Sequence, residues 1–251
     1  MPTTTRKKVE FPSSVKEFKI NANDRLYSIY LPENEGFRIN DIFVKNGYDI
    51  PGLNMLKNAA VLDIGANAGL FSMYIKFTCP DAEVHCYEPA PNTFELLKEN
   101  ASQLENVHLH KRGVSNFTGK AEILMSSENT GATSIKSIGN HQALDKQTIK
   151  LVEAKSIVEK MDKVDILKID TEGCEFEVLD NLNEHNLLQK VSFIMLEYHS
   201  EKDRRRIDQL LSEFTIFGYE ACSIHRGVMK FIRNDLIGTT SALNIYTNDP
   251  L

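Results

Sequence analysis

From about residue 60 onward, short apolar runs rich in β-branched residues alternate with longer amphipathic segments. That alternation is the pattern of βαβ units around a mostly parallel sheet. AAVLDIG (59–65), AEVHCYEP (82–89), VHLHKRGVS (107–115), DILKID (165–170) and VSFIMLEYH (191–199) predict the strands, and helices are predicted over 69–78, 91–104, 174–189 and 201–217. The tail then changes character. YEACSIHR (219–226) and SALNIYTN (241–248) are joined by a glycine-containing connection with no helical periodicity, which predicts an antiparallel pair closing one sheet edge. Five βα-type strands followed by a hairpin depart from the six parallel strands of a dinucleotide-binding Rossmann domain. The expected fold is therefore α/β, with a seven-stranded, mostly parallel sheet, a C-terminal antiparallel hairpin and helices on both faces.

Before this pattern begins, FKINAN and YSIYLP read as a hairpin, and NDIFVKNGY as the start of a helical cap over the strand ends. Residues 1–58 are accordingly expected to form an N-terminal extension or cap, and 59–251 the catalytic domain. GKAEILMSS (119–127) alternates like an edge strand, and the polar ENTGATSIKSIGNHQ after it reads as a long loop. Loops of that length inside a compact domain usually carry function, so Thr130, Gly131, Thr133 and Ser134 are expected to form a lid or to contact an acceptor.

Composition narrows the partners. A chain of 251 residues that is 41% hydrophobic and 25% charged has enough apolar material for a buried sheet. Its net charge of -6 argues against a nucleic-acid partner, which calls for a basic face. The one dense basic cluster, Lys202 to Arg206, reads as a solvated helix face. Cys79, Cys86, Cys174 and Cys222 contain no C-x-x-C pair, so they read as reduced thiols and not as a zinc site or disulfide framework. No apolar stretch approaches the ~20 residues that span a bilayer, and a cytoplasmic, non-membrane protein is expected.

Candidate chemistry gathers at strand ends. Asp63-Ile-Gly65-Ala-Asn67-Ala-Gly69 follows a strand and opens a helix, where glycines let the backbone approach a ligand and unpaired N–H groups face it. Nineteen residues past Gly69, Glu88 ends the second strand, placed to accept hydrogen bonds from the two hydroxyls of a ribose. The turn lacks the second glycine of G-x-G-x-x-G, so a pyrophosphate is not clearly its target. LKIDTEGCEFEVL puts Asp170 at the end of the fourth strand and Glu172 in the turn, while Glu175 and Glu177 are accounted for by the dipole of the next helix. Glu197 and His199, two apart at the end of the fifth strand, project to one side as a base and its orienting partner.

Taken together, DIGANAGLFS, YEPAPNTFELLKEN, GVSNFTGKAEI, LKIDTEGCEFEVLDNL and LEYH resemble the FkbM family of methyltransferases over roughly residues 40–200. The resemblance implies a class I, Rossmann-like methyltransferase fold and S-adenosyl-L-methionine as cofactor. It also implies a small-molecule or glycan acceptor methylated on a hydroxyl. Asp63, Gly65, Asn67, Gly69 and Glu88 are then the expected cofactor contacts, with Ala66, Pro89, Gly113, Val114 and Asp170 completing them. Asp170, Glu172 and His199 are the candidates for acid–base work, with His199 first because an unperturbed imidazole titrates near ~6.5. A divalent ion on Asp170 and a neighbouring carboxylate is the less favoured option. A cofactor-binding scaffold without turnover and an N-methyltransferase remain open alternatives.

Overall fold

The computed structural model describes residues 13–125 and 145–238. It opens on an antiparallel hairpin of β1 (Val15–Ala22) and β2 (Arg25–Pro32), turned through Asn23 and Asp24 at φ 51° and 57°. Both turn residues being left-handed is what a two-residue hairpin loop needs to match strand twist. A helical turn, α1 (Phe37–Ile39), runs directly into a π-turn over Asn40–Val44. The helical segment expected from Asn40 thus begins three residues earlier, at Phe37.

The main sheet has seven strands in the order β11-β12-β10-β9-β3-β4-β5. They are β3 (Ala60–Ile64), β4 (Glu83–Tyr87), β5 (Val107–His110), β9 (Val164–Ile169), β10 (Val191–Tyr198), β11 (Phe214–Ala221) and β12 (Gly227–Arg233). β3, β4, β5, β9 and β10 are parallel, and β12 runs antiparallel to both of its neighbours. The chain leaves β3 toward β4 and β5 and later returns to its other side as β9 and β10. The crevice where strand order reverses therefore lies between β3 and β9, the usual ligand position in an open α/β sheet.

Helices α2 (Leu70–Thr78) and α3 (Pro91–Ala101) share one apolar core with the hairpin and cap, including Ile29, Leu31, Ile42, Phe71, Ile75 and Leu97. That double coverage explains why α2 is buried nearly all round instead of on one stripe. Asn100 ties the layers together: its amide donates to the carbonyls of Tyr30 and Ala68, and its oxygen accepts from the Tyr30 N–H. A second core beneath α4 (Ala154–Val158), α5 (Glu175–Glu184) and α6 (Glu201–Leu210) covers the other face. On α6 the basic cluster, expected as a solvated helix face, is internally paired: Arg204 bonds Glu201 and Asp208, and Arg205 bonds Glu201.

Several boundaries differ from expectation. The third predicted strand divides at Lys111 and Arg112; Gly113–Ser115 becomes β6 and pairs with β8 (Asp145–Glu153). β7 (Gly119–Met125) joins β8 antiparallel, giving a separate three-stranded sheet whose inward residues Ile123, Ile149 and Leu151 pack on Ala90. The predicted helix over 201–217 ends at Leu210, because Phe214 to Ala221 pairs with β12. Consequently the closing hairpin is made by 214–221 and 227–233, an earlier register than 219–226 with 241–248. SALNIYTN and the lid candidates Thr130, Gly131, Thr133 and Ser134 lie outside the described residues. Among the described residues no helix is long and apolar enough to cross a membrane, and the cysteines are all free, three of them buried.

Candidate active site

The turn after β3 is shaped by what lies against it. Gly65, Asn67 and Gly69 all have positive φ. A Cβ on Gly65 would sit 1.7 Å from the carbonyl oxygen of Asp170, so no side chain fits where β3 and β9 diverge. The amides of Gly65 and Ala66 both donate to the Tyr87 carbonyl, which closes the turn onto the end of β4. There Glu88 is buried, with one carboxylate oxygen accepting from the Asn67 N–H and the other from the Ala90 N–H, each at 2.9 Å. A carboxylate offers about four acceptor positions, so each oxygen retains one for a ligand hydroxyl. Burial pushes the Glu88 carboxyl up to about 7 against the opposing pull of those amides.

Beneath the turn lies a buried ion network. Lys168, on β9, donates to the Gly65 carbonyl at 2.6 Å and stands 3.5 Å from both Asp63 and Asp170. Asp63 is fully buried and accepts from Ser72 on α2. It is thus a support under the turn and presents no surface for the expected cofactor contact. The same holds for Ala66, packed at 3% exposure, and for Val114, part of the second core. Gly113 is buried against the three-stranded sheet, where a Cβ would come within 2.7 Å of Leu151 Cδ2. Of the expected cofactor set, Gly65, Asn67, Pro89 and Asp170 are partly exposed and Glu88 is buried at 7% exposure, while Gly69 sets the start of α2.

On the other side of the crevice, Asp170, Glu172 and His199 converge: each offers a ligand atom, and these atoms all lie within 4.8 Å of one another. Glu172 Oε2 is 3.0 Å from His199 Nε2, and Glu175 Oε1 is 3.3 Å from His199 Nδ1. The His199 side chain is 92% buried by its 8% exposure, yet neither ring nitrogen has a carboxylate in line for a hydrogen bond. Asp170 Oδ1 is also buried without a hydrogen-bond partner. Arg226, from the β11–β12 connection, bonds Glu197 and lies 3.7 Å from Glu172.

The electrostatics revise one expectation. Burial alone would lower the His199 pKa, but Glu172 and Glu175 outweigh it and raise it to about 10, so the free imidazole is protonated at neutral pH. Glu172 sits at φ 56°, an unusual conformation for a non-glycine residue. Glu175 holds it there. Its Oε1 accepts from the Thr171 N–H, the Thr171 hydroxyl and the Gly173 N–H. Glu175 thus organises the turn that aims Glu172, a role beyond the helix-dipole stabilisation that its sequence position implied.

Lys168, Arg226, Arg38 and Tyr48 were not singled out by sequence reasoning, and Glu175 was read only as a helix-dipole residue. Lys168 did leave a trace, as a lone cation in the apolar run DILKID. Arg38 pairs with buried Glu35 at 3.0 Å and its charge also acts on Asp170, while Tyr48 packs edge-on against Phe71. Both bring the N-terminal segment to the crevice.

A glycine turn and buried acid on one side and a carboxylate–imidazole cluster on the other, across the switch point of this sheet, define a Rossmann-like methyltransferase. The chain belongs to the FkbM methyltransferase family: residues 63–223 match the model of the methyltransferase FkbM domain. It is similar to the hexuronic acid methyltransferase AglP of Haloferax volcanii, 31% identical over 156 residues that cover 60% of this chain and 60% of that protein. It is also similar to the 2-O-methyltransferase NoeI of Sinorhizobium fredii, at 24% identity over 67% of this chain and 74% of that one. Among solved structures, the fibrillarin pre-rRNA processing protein of Methanococcus jannaschii shares the fold, with a TM-score of 0.51 at 13% identity over 90% of this chain and 86% of its own.

Proposed function

We propose that this chain is an S-adenosyl-L-methionine-dependent O-methyltransferase acting on a hydroxyl of a sugar, glycan or related natural product. The observation that carries this reading is the pairing of Glu88, with acceptor positions left for a ribose, and the unpartnered Asp170 Oδ1 across one crevice. The names of its relatives agree in direction: one acts on a hexuronic acid and another methylates an oxygen.

Glu88 and the backbone around Gly65 and Asn67 bind the nucleoside, and the bound cofactor supplies an electrophilic methyl group on a sulfonium. The acceptor hydroxyl lies against the second cluster. Asp170 Oδ1 is placed to take the O–H proton as the oxygen gains a methyl group, which bound S-adenosyl-L-methionine would give up with the bonding pair kept by its sulfur. The His199 imidazolium, set between Glu172 and Glu175, supplies positive charge beside the oxygen as it becomes more anionic. Alignment does most of the work in such an in-line displacement, worth ~7 to 11 kcal/mol in well-oriented cases.

The test is transfer from methyl-labelled cofactor to a panel of uronic acids and neutral sugars. Label should enter an acceptor as an alkali-stable ether. Label found only as an alkali-labile ester, or on an amine, would overturn hydroxyl methylation.

A further inference from the structure

We propose that Asp170, Glu172 and His199 hold a divalent cation of the manganese type, with its open coordination positions facing the crevice. Two observations carry this independently. The first is geometric. One imidazole nitrogen and two carboxylate oxygens, drawn from the ends of β9 and β10 and from the turn between β9 and α5, lie within 4.8 Å of one another. Glu172 Oε2 and His199 Nε2, 3.0 Å apart, already have the spacing of adjacent ligands ~2.1 Å from a metal, and the remaining separations need only a few tenths of an ångström of closure to fall within the ~4.2 Å of opposed ligands.

The second is a set of polar atoms left without hydrogen bonds. His199 is more than nine-tenths buried, and both its ring nitrogens lack an in-line partner although carboxylates stand 3.0 and 3.3 Å away. Asp170 divides its oxygens: Oδ2 faces Lys168 at 3.5 Å, and Oδ1 is buried with no hydrogen-bond partner. Buried polar atoms are nearly always satisfied, and an exception calls for an explanation such as an absent ion. Glu172 is held in its left-handed conformation by the three hydrogen bonds that the turn makes to Glu175, so the cluster is built before any ion arrives.

The donor set selects the metal. A mixed imidazole and carboxylate site suits manganese, iron, cobalt or zinc, whereas magnesium and calcium favour all-oxygen shells. Three protein ligands leave room for two or three more, which water or an acceptor's oxygens can fill. This role for the ion rests on the O-methyltransferase reading, but the binding of the ion does not. Such an ion would lower the pKa of a bound acceptor hydroxyl so that its proton leaves to solvent. Asp170 Oδ1, the proton acceptor when the ion is absent, then serves as a ligand, and the ion contributes the positive charge that His199 contributes without it.

Glu83, His85 and His108, on the exposed faces of β4 and β5, form another carboxylate–histidine group among the described residues and provide the internal control. The experiment is titration of Mn2+ into metal-stripped full-length protein, followed by calorimetry and by loss of the free-ion electron paramagnetic resonance signal. S-adenosylhomocysteine binding is measured on the same samples. The expected result is one Mn2+ per chain, weakened at least tenfold in Glu172→Gln and in Asp170→Asn, and unchanged in His85→Ala. A wild-type far-ultraviolet circular dichroism spectrum and melting midpoint certify that each variant is folded. Absence of stoichiometric Mn2+ in a wild type that binds S-adenosylhomocysteine overturns the metal site and leaves the methyltransferase reading standing. Mn2+ that survives both carboxylate substitutions but is lost in His85→Ala also overturns it.

Discussion

Replacing Lys168 by methionine should destabilise the protein by about 3–5 kcal/mol, the range for removing one partner of a buried ion pair. Lys168 is the buried cation between Asp63 and Asp170, and its ammonium also caps the Gly65 carbonyl. Methionine keeps most of the volume, so packing changes little. The loss is electrostatic: Asp63 is fully enclosed, and its Oδ1 already has no hydrogen-bond donor. Urea unfolding at pH 7 gives the comparison. The double variant Asp63→Leu/Lys168→Met should recover part of the loss, because replacing both members of a buried pair by apolar groups is often close to neutral. A single variant within 1 kcal/mol of wild type would mean that the network contributes little.

Substituting His199 by alanine should lower kcat by about 10²–10³-fold on an acceptor found in the transfer screen, the usual cost of losing one electrostatic stabiliser, with cofactor affinity unchanged. The size follows from what His199 touches. It stands between Glu172 and Glu175 at the acceptor side, and on the proposed reading it supplies positive charge there, either as imidazolium or as a ligand of the ion. The two residues have different partners: Glu88 bonds the Asn67 and Ala90 amides, whereas His199 faces Glu172, Glu175 and Glu197. The split between kcat and cofactor Kd therefore separates this role from general loss of structure. Equal loss of both would point to collapse of the β10 end, and unchanged kcat would remove His199 from the chemistry.

The parts legible in the sequence were those in which local pattern and tertiary environment agree. β3, β9 and β10 are buried along most of their length and read as largely apolar runs, while β4 (EVHCY) buries Val84, Cys86 and Tyr87 and leaves Glu83 exposed. Pro91 at the first turn of α3 marks its start, and Gly69 marks that of α2. Asp170, Glu172 and His199 were found because each lies at a strand's carboxyl end or in the turn after it. β8 was missed although Ile149 and Leu151 alternate with exposed Lys150, because a polar stretch precedes it and its partners β6 and β7 lie far back along the chain. The β11 strand was lost to an amphipathic helix pattern that stops four residues short of it. Asp63 was assigned a ligand contact that burial denies it, since a motif position says nothing about which way an acid turns. Lys168 and Glu175 act through partners distant in sequence or through a turn's own amides, and neither relation has a linear signature.

The central claim is that the crevice beside Glu88 binds S-adenosyl-L-methionine, and calorimetric titration with S-adenosylhomocysteine tests it most directly. Wild type should bind in the micromolar range, and Glu88→Gln should bind at least about tenfold more weakly, the worth of one charge-assisted hydrogen bond. Ribose hydroxyls donate to the ionised carboxylate, and burial sets that carboxyl to about 7 in the free protein. Binding therefore favours the deprotonated form, and affinity should fall about tenfold between pH 8 and pH 6. Micromolar binding that weakens in Glu88→Gln and with falling pH is the predicted result; no binding by the folded wild type at either pH would contradict the account.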